Sequence, residues 1–239
     1  MENSQTAVTS TNRQIAVDWM YDVCHDVTDD ESVFLRAVYT LDRFLATTAI
    51  SRSQLQLAAG VCLLISFKIT PLDVSVSQIC EYTDNCFTRE EVKVWEQLIL
   101  VKLNWTISIL TPLHFIDRIL SPLRLNHLKS KVVDILVTST ADPLISTVDD
   151  HSLAVAAVDI VIEDAEESCC IQHKTTVDMI TNNTIKRKLR GIFSDFDSDY
   201  ESSRGSVMSH ASDFYLGEEQ FFPENRIKLG HSGSMIPIF

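Results

Sequence analysis

The twelve residues AAGVCLLISFKI, at 58–69, are apolar for almost their whole length and end with a single cation, Lys68, beside Ile69. Gln54 and Gln56 come shortly before them, so the run is shorter than the ~20 apolar residues that a membrane-spanning helix requires. A helix that is hydrophobic on every side is normally buried on every side. The run therefore predicts a central helix that is surrounded by other helices.

Capping boxes predict where several helices begin, because a Ser or Thr and a Gln or Glu three residues later can satisfy each other's free N–H groups. The pairs that match this pattern are Thr11/Gln14, Ser51/Gln54, Ser75/Gln78 and Thr88/Glu91. The acidic cluster DDES at 29–32 precedes VFLRAVYTLDRFL, whose apolar positions repeat with a helical period. Together these signals predict five helices between residues 11 and 105, of which the apolar helix is the third.

A second helical group is predicted from residue 111 onwards. TPLHFIDRIL at 111–120 has Thr as N-cap and Pro at the first helical position. Further helices are expected at 126–138, 149–165, 175–181 and 184–193. The fold-class prediction is all-α, with two consecutive five-helix bundles, each built around a hydrophobic central helix.

The predicted domains are a flexible N-terminus at 1–10, a first bundle at 11–110, a second at 111–193 and an acidic tail at 194–239. The tail contains nine Ser and eight acidic residues, so we expect it to be mostly disordered. FYLGEEQFF at 214–222 is its one aromatic cluster, and it is interpreted either as a docking segment or as a merely adhesive patch.

Composition argues against several classes of function. The first 193 residues contain only two glycines, so a glycine-rich phosphate loop is not expected, and the histidines are scattered. No CxxC pair occurs among the six cysteines, and the net charge of −13 disfavours nucleic acid as a partner. We therefore predict no catalytic residues, metal site or cofactor. The N-terminus shows no secretory signal, so an intracellular, soluble protein without a membrane partner is expected.

Residues 12–120 resemble a cyclin box of the D type, of either cellular or virus-encoded origin. The segments that carry the resemblance are NRQIAVDWMYDVC, VFLRAVYTLDRFL, LQLAAGVCLLISFKI, ICEYTDNCFTREEV, WEQLILVKLNW and TPLHFIDRIL. The resemblance implies the cyclin fold and a regulatory subunit that binds and activates a cyclin-dependent kinase in G1/S progression. It also implies that the complex acts on phosphorylation substrates in the nucleus and cytoplasm.

The resemblance assigns the kinase contact to Lys68 and Glu96, and the neighbouring Ile65, Ile69 and Leu100 would supply its apolar surroundings. Helical spacing places Lys68 on one face with both isoleucines and Glu96 one turn before Leu100. An ammonium and a carboxylate within an apolar surface can bind the carbonyl and N–H groups of another chain. The alternative is that Lys68 extends from a buried helix end into solvent and Glu96 lies on a wet face.

Many cyclins use a surface patch to bind Arg-x-Leu sequences, and here that patch is degraded. Asn12 and Ala16 replace its Met and Leu, whereas Trp19, Gln56 and Asp22 are retained. Because apolar contact area is lost at two positions, we predict poor recognition of Arg-x-Leu inhibitors.

Arg13 and Asp42 match family positions that form a structural ion pair.

Other interpretations of the function remain open at the level of sequence. The chain could be a non-activating cyclin-fold adaptor or a transcription regulator, although its acidity disfavours contact with DNA. The basic run KRKLR at 186–190 is interpreted either as a nuclear-import signal or as the exposed face of a final helix.

Overall fold

The computed structural model describes residues 8–166 and 184–192, and its N-terminal part is a bundle of five helices. Their bounds are α1 Ser10–Val27, α2 Glu31–Thr47, α3 Arg52–Lys68, α4 Val76–Tyr82 and α5 Arg89–Lys102. Each of the other four helices contacts α3. The prediction that the apolar helix forms the centre of a bundle is confirmed.

The buried part of α3 is continuous, since all thirteen residues of Leu55–Phe67 are buried. Gly60 lets two neighbouring helices approach closely: a Cβ atom at this position would lie 3.3 Å from Cγ2 of Ile79 in α4 and 3.5 Å from the Trp19 ring in α1. A larger residue would push these helices apart. Gly60 therefore sets how closely α1 and α4 pack against α3.

Most of the helix starts agree with the sequence patterns, but the start of α1 does not, and the helix expected to begin at Pro112 begins at Leu113 with Pro112 as its N-cap. Gln54, Gln78 and Glu91 each accept a hydrogen bond from the backbone N–H of the predicted cap residue three positions earlier. At α1 the prediction was wrong, because the cap is Thr9 and its partner is Asn12. Asn12 accepts from the Thr9 N–H at 3.2 Å, which shows that the shorter Asn amide can take the role expected of Gln.

Helix ends explain how a chain so poor in glycine forms its turns. After α5, the N–H of Trp105 donates to the Leu100 carbonyl at 2.8 Å and the N–H of Asn104 donates to the Val101 carbonyl at 3.0 Å. This is the Schellman pattern, which places its C′ residue in the left-handed region. Asn104 has a φ of 50° there. Asn tolerates this conformation better than most residues do, so glycine is not required.

The second group consists of α6 Leu113–Leu123, α7 Lys129–Ser139 after a short 3-10 turn at Asn126–Leu128, α8 Asp150–Glu166 and α9 at 184–192. α8 contacts both α6 and α7, and residues 153–162 of α8 are buried throughout. α8 is thus the central helix of this group, as predicted. The helix predicted at 175–181 and the predicted tail at 194–239 lie outside the described residues.

Polar contacts join the two groups of helices. Arg13 in α1 is only 5% exposed and donates to both carboxylate oxygens of Asp42 in α2, at 2.6 and 2.7 Å. Its Nη1 donates to the Thr140 carbonyl, which follows α7, at 2.8 Å. Tyr39 of α2 also lies near Asp150 at the start of α8. The pair that the resemblance implies therefore lies where the two bundles meet.

Candidate partner-binding site

The C-terminal end of α3 lies beside α5 and brings an ammonium and a carboxylate together. Lys68 Nζ lies 2.6 Å from Oε1 and 2.7 Å from Oε2 of Glu96. The Lys68 side chain is 46% exposed and that of Glu96 is 16% exposed. α3 ends here three residues before Pro71, whose ring disfavours helical geometry in the residue that precedes it. Lys68 also complements the negative end of the helix dipole.

The apolar surroundings of this pair differ from the sequence expectation. Ile69 is 42% exposed and lies at the surface directly after Lys68. Ile65 and Leu100 are only 3% and 8% exposed and belong to the core of the first bundle. Of the three apolar residues assigned to the contact, Ile69 alone has a largely exposed side chain in this structure. Helical spacing placed Ile65 and Leu100 next to the charged residues but did not show that α3 and α5 pack against each other there.

The geometry allows the Lys68–Glu96 pair to bind an approaching peptide backbone. An ammonium has three N–H donors, and two of them point at the Glu96 carboxylate, so one remains for a carbonyl group. A carboxylate has about four acceptor sites, which leaves capacity for backbone N–H groups. A surface ion pair contributes only ~0–1 kcal/mol to stability, so a partner can rearrange it at small expense.

The residues of the degraded docking patch lie mostly below the surface. Ala16 and Trp19 of α1 and Gln56 of α3 are 0%, 6% and 3% exposed. Asp22 is exposed, and the side chain of Asn12 is half-buried and occupied with the cap of α1. In this structure the patch residues therefore leave little apolar area available to a peptide.

A charged cluster between α8 and α9 was not predicted from the sequence. Lys186 contacts Asp159 and Glu163 of α8, and Arg190 Nη2 lies 2.5 Å from a Glu163 oxygen. Leu189, between these cations, is 1% exposed and packs in the second core. The i, i+4 spacing of Asp159 and Glu163 was the available signal, since it places both acids on one helix face.

Titratable groups near the cores have shifted pKa values whose main cause is burial. Burial raises the pKa of the Cys24 thiol to about 12, and it also raises the pKa of the Cys62 thiol. Both thiols therefore stay protonated and pack as small apolar groups. Burial likewise raises the pKa of Asp134 in α7.

Within residues 8–166 and 184–192, no group of three or more His, Cys, Asp or Glu side chains is arranged to hold a metal ion. Over the same residues, no helix is both long and apolar enough to cross a membrane.

Known proteins resemble both the sequence and the fold of this chain. Residues 1–108 match the family model described as "Cyclin, N-terminal domain". The chain is 36% identical to the G1/S-specific cyclin-D2 of Gallus gallus over 114 residues, which is 47% of this chain and 39% of that protein. It is 35% identical to the G1/S-specific cyclin-D1 of Homo sapiens over 118 residues, which is 49% of this chain and 40% of that protein. The chain thus spans about two fifths of the length of these relatives.

The fold is also similar to a solved structure, that of a viral cyclin from herpesvirus saimiri. The TM-score is 0.66 at 24% sequence identity, and the match covers 80% of this chain and 90% of that one. Unlike the sequence matches, this similarity extends beyond the first bundle. The second group of helices, whose sequence resembles the family only in pattern, therefore shares the cyclin fold.

Proposed function

We propose that this chain is a regulatory subunit that binds and activates a cyclin-dependent kinase, because residues 1–108 match the cyclin N-terminal domain and the chain is similar to D-type cyclins. The kinase would belong to the class that D-type cyclins bind, and the complex would promote G1/S progression. In this proposal the chain itself does no chemistry. It lacks nucleic-acid and membrane partners and acts on phosphorylation substrates only through the kinase.

The observation that carries the proposal is the Lys68–Glu96 pair, with N–O distances of 2.6 and 2.7 Å, at the exposed end of α3. A chain that packs over Ile69 would remove water from this pair and strengthen its bonds to backbone groups. In the family that this sequence resembles, such docking pushes the regulatory helix of the kinase inward. That movement completes the catalytic Lys–Glu pair and frees the activation loop.

Two single substitutions, Lys68→Ala and Glu96→Ala, test the contact. Each would leave its partner charge unpaired in the buried interface, at ~2–5 kcal/mol, which is more than a tenfold loss of affinity. Binding to a panel of purified cyclin-dependent kinases is the measurement. A matched control is Lys129→Ala, because Lys129 also forms an exposed pair, with Asp117, and its side chain is 50% exposed.

Kinase binding tests the contact, and kinase stimulation distinguishes an activator from an adaptor. Binding that falls for both variants but not for the control supports the contact, whereas equal binding by all three variants refutes it. Phosphorylation of a retinoblastoma fragment by the bound kinase distinguishes an activator from a non-activating adaptor. A complex that binds kinase tightly but does not stimulate it would identify the adaptor.

We further propose that the chain acts in both nucleus and cytoplasm without KRKLR serving as its import signal. Lys186 and Arg190 of this run bind carboxylates of α8, and Leu189 lies in the core. An import receptor reads a run of accessible cations, but here two of the cations are already engaged. Replacing the exposed Arg187 and Lys188 by Gln should leave the nuclear fraction of a fluorescent fusion unchanged. A loss of nuclear signal would contradict this proposal.

A further inference from the structure

The outer face of α5 carries a stripe of apolar side chains that are largely exposed. Val94 and Val101 are 57% and 60% exposed, and Trp105, just after the helix, is 64% exposed. Leu98 lies between them and is half-buried. The spacing of Val94, Leu98 and Val101, four and three, keeps these three residues on one side of the helix, and Trp105 lies in the left-handed turn that follows it. These four residues will be called the α5 stripe.

The α5 stripe is separate from the candidate kinase contact. At 100° per residue, Val94, Leu98 and Val101 each point about 150° away from Glu96 around the helix axis. A chain that binds Lys68 and Glu96 would therefore approach a different side of α5. The α5 stripe needs another explanation.

The charges beside the α5 stripe favour an acidic occupant, although the chain as a whole has a net charge of −13. Lys93 and Lys102 are exposed and flank the stripe on opposite sides, about 90° from its centre. The uncharged Gln97 also lies on this face. Glu90 and Glu91 are the acids at its N-terminal end, and Glu91 accepts hydrogen bonds from the backbone N–H and the hydroxyl of Thr88. An apolar segment with two or three carboxylates would match this surface.

We propose that the occupant is residues 214–222 of this same chain, FYLGEEQFF, docked on the α5 stripe. The segment provides four aromatic rings and one Leu for the stripe, and Glu218 and Glu219 for the two lysines. Asp213 adds a third acid directly before it. The segment therefore offers apolar side chains to the apolar stripe and carboxylates to the lysines that flank it.

The covalent connection is long enough to allow this docking. Twenty-one residues separate the end of α9 at 192 from Phe214, and a chain of that length can span up to ~70 Å. A globular unit of this size is only ~40 Å across, so every point on its surface is within reach. A tether of this length gives an effective concentration of about 1 mM. Even a dissociation constant of ~100 μM would then keep the segment bound about nine-tenths of the time.

Tryptophan fluorescence tests the proposal directly, because the chain has only three tryptophans. Trp19 and Trp95 are 6% and 7% exposed, so collisional quenching by acrylamide reports mainly on Trp105. The full chain is compared with a chain that ends after Phe193 and with one that ends after Asn225 and so retains the segment. The same chains with Trp105→Phe assign the quenching to this side chain.

Docking predicts that Trp105 is protected in the full chain and in the chain ending after Asn225. Ending the chain after Phe193 should raise the quenching constant of Trp105 at least about threefold. A synthetic peptide of residues 210–225 added to the short chain should restore protection. Lys93→Glu with Lys102→Glu should weaken protection in the full chain and leave the short chain unchanged.

Other occupants give different results. Protection that survives truncation and grows with protein concentration would identify a second copy of the chain and overturn the proposal. Equal, high quenching in all three chains would show that the segment does not cover Trp105, which would also overturn it. Because the assay requires no kinase, its outcome is independent of the proposed function.

Discussion

Removing the guanidinium of Arg13 should lower the free energy of unfolding far more than removing an exposed cation does. Its side chain is 6% exposed, that of Asp42 is 11% exposed, and the two form a bidentate pair at 2.6 and 2.7 Å. The substitution Arg13→Ala leaves Asp42 largely desolvated without a counter-charge, and the Thr140 carbonyl loses a donor at 2.8 Å. Breaking a buried ion pair in this way typically costs about 3–5 kcal/mol.

This loss is large compared with the total stability of a domain, which is about 5–15 kcal/mol. Arg13 joins groups that are 127 residues apart in the chain, so we also expect the two bundles to unfold less cooperatively. Urea unfolding followed by two probes measures both effects. Tryptophan emission reports mainly on the first bundle, whose core contains Trp19 and Trp95, whereas far-UV circular dichroism reports on both bundles.

Two further variants sharpen the experiment. Arg13→Met combined with Asp42→Leu removes both charges and should recover most of the stability, because the desolvated carboxylate is gone. Lys129→Ala, which removes an exposed pair, should change the free energy of unfolding by less than about 1 kcal/mol. A loss of stability in Arg13→Ala no larger than that in Lys129→Ala, or a double variant less stable than Arg13→Ala, would refute this role of the buried pair.

Three other outcomes are expected. Gly60→Ala should lower the melting temperature although Ala has the better helix propensity, because the new Cβ would lie 3.3 Å from a neighbouring side chain and overpacking costs about 1–3 kcal/mol. An unchanged or higher melting temperature would show that the helices can shift. Lys186→Ala should lower the urea midpoint more than Lys188→Ala, because losing Lys186 leaves Asp159, which is only 4% exposed, without its cation, whereas Lys188 lies in solvent. Equal midpoints for the two variants would contradict the role of the ion pair. Hydrogen bonds from the Ser152 N–H and hydroxyl lower the pKa of Asp149 in the folded state. The stabilisation by this carboxylate is therefore present above its unfolded-state pKa and is lost as the pH falls through the lower folded-state pKa. Stability measured as a function of acid pH should show this loss, and Asp149→Ala should abolish it.

Local signals predicted the individual helices well because they depend on residues three or four positions apart. The cap at Thr88 and the N-terminal acids of α2 are short-range features, and the structure has helices at both. The miss at α1 has the same local origin, since Asn12 performs the function that the rule reserves for Gln or Glu.

The candidate site was less predictable, because its exposure depends on how helices pack. Lys68 and Glu96 are 28 residues apart in sequence, and only the resemblance to a family suggested that they belong together. Helical spacing grouped Ile65 and Leu100 with them, yet burial removes both from the surface. Exposure is a property of neighbouring helices, and periodicity within one helix does not describe it.

The amino-acid order alone determined that the helix containing residues 58–69 would be the centre of a helical bundle, because a helix without a polar face has no stable position except among other helices. Only the tertiary structure decided that Lys68 would meet Glu96, that Arg13 would join two bundles, and that the outer side of α5 would remain apolar and exposed. These three results depend on the angles and distances at which helices pack, which arise from contacts between residues far apart in the chain.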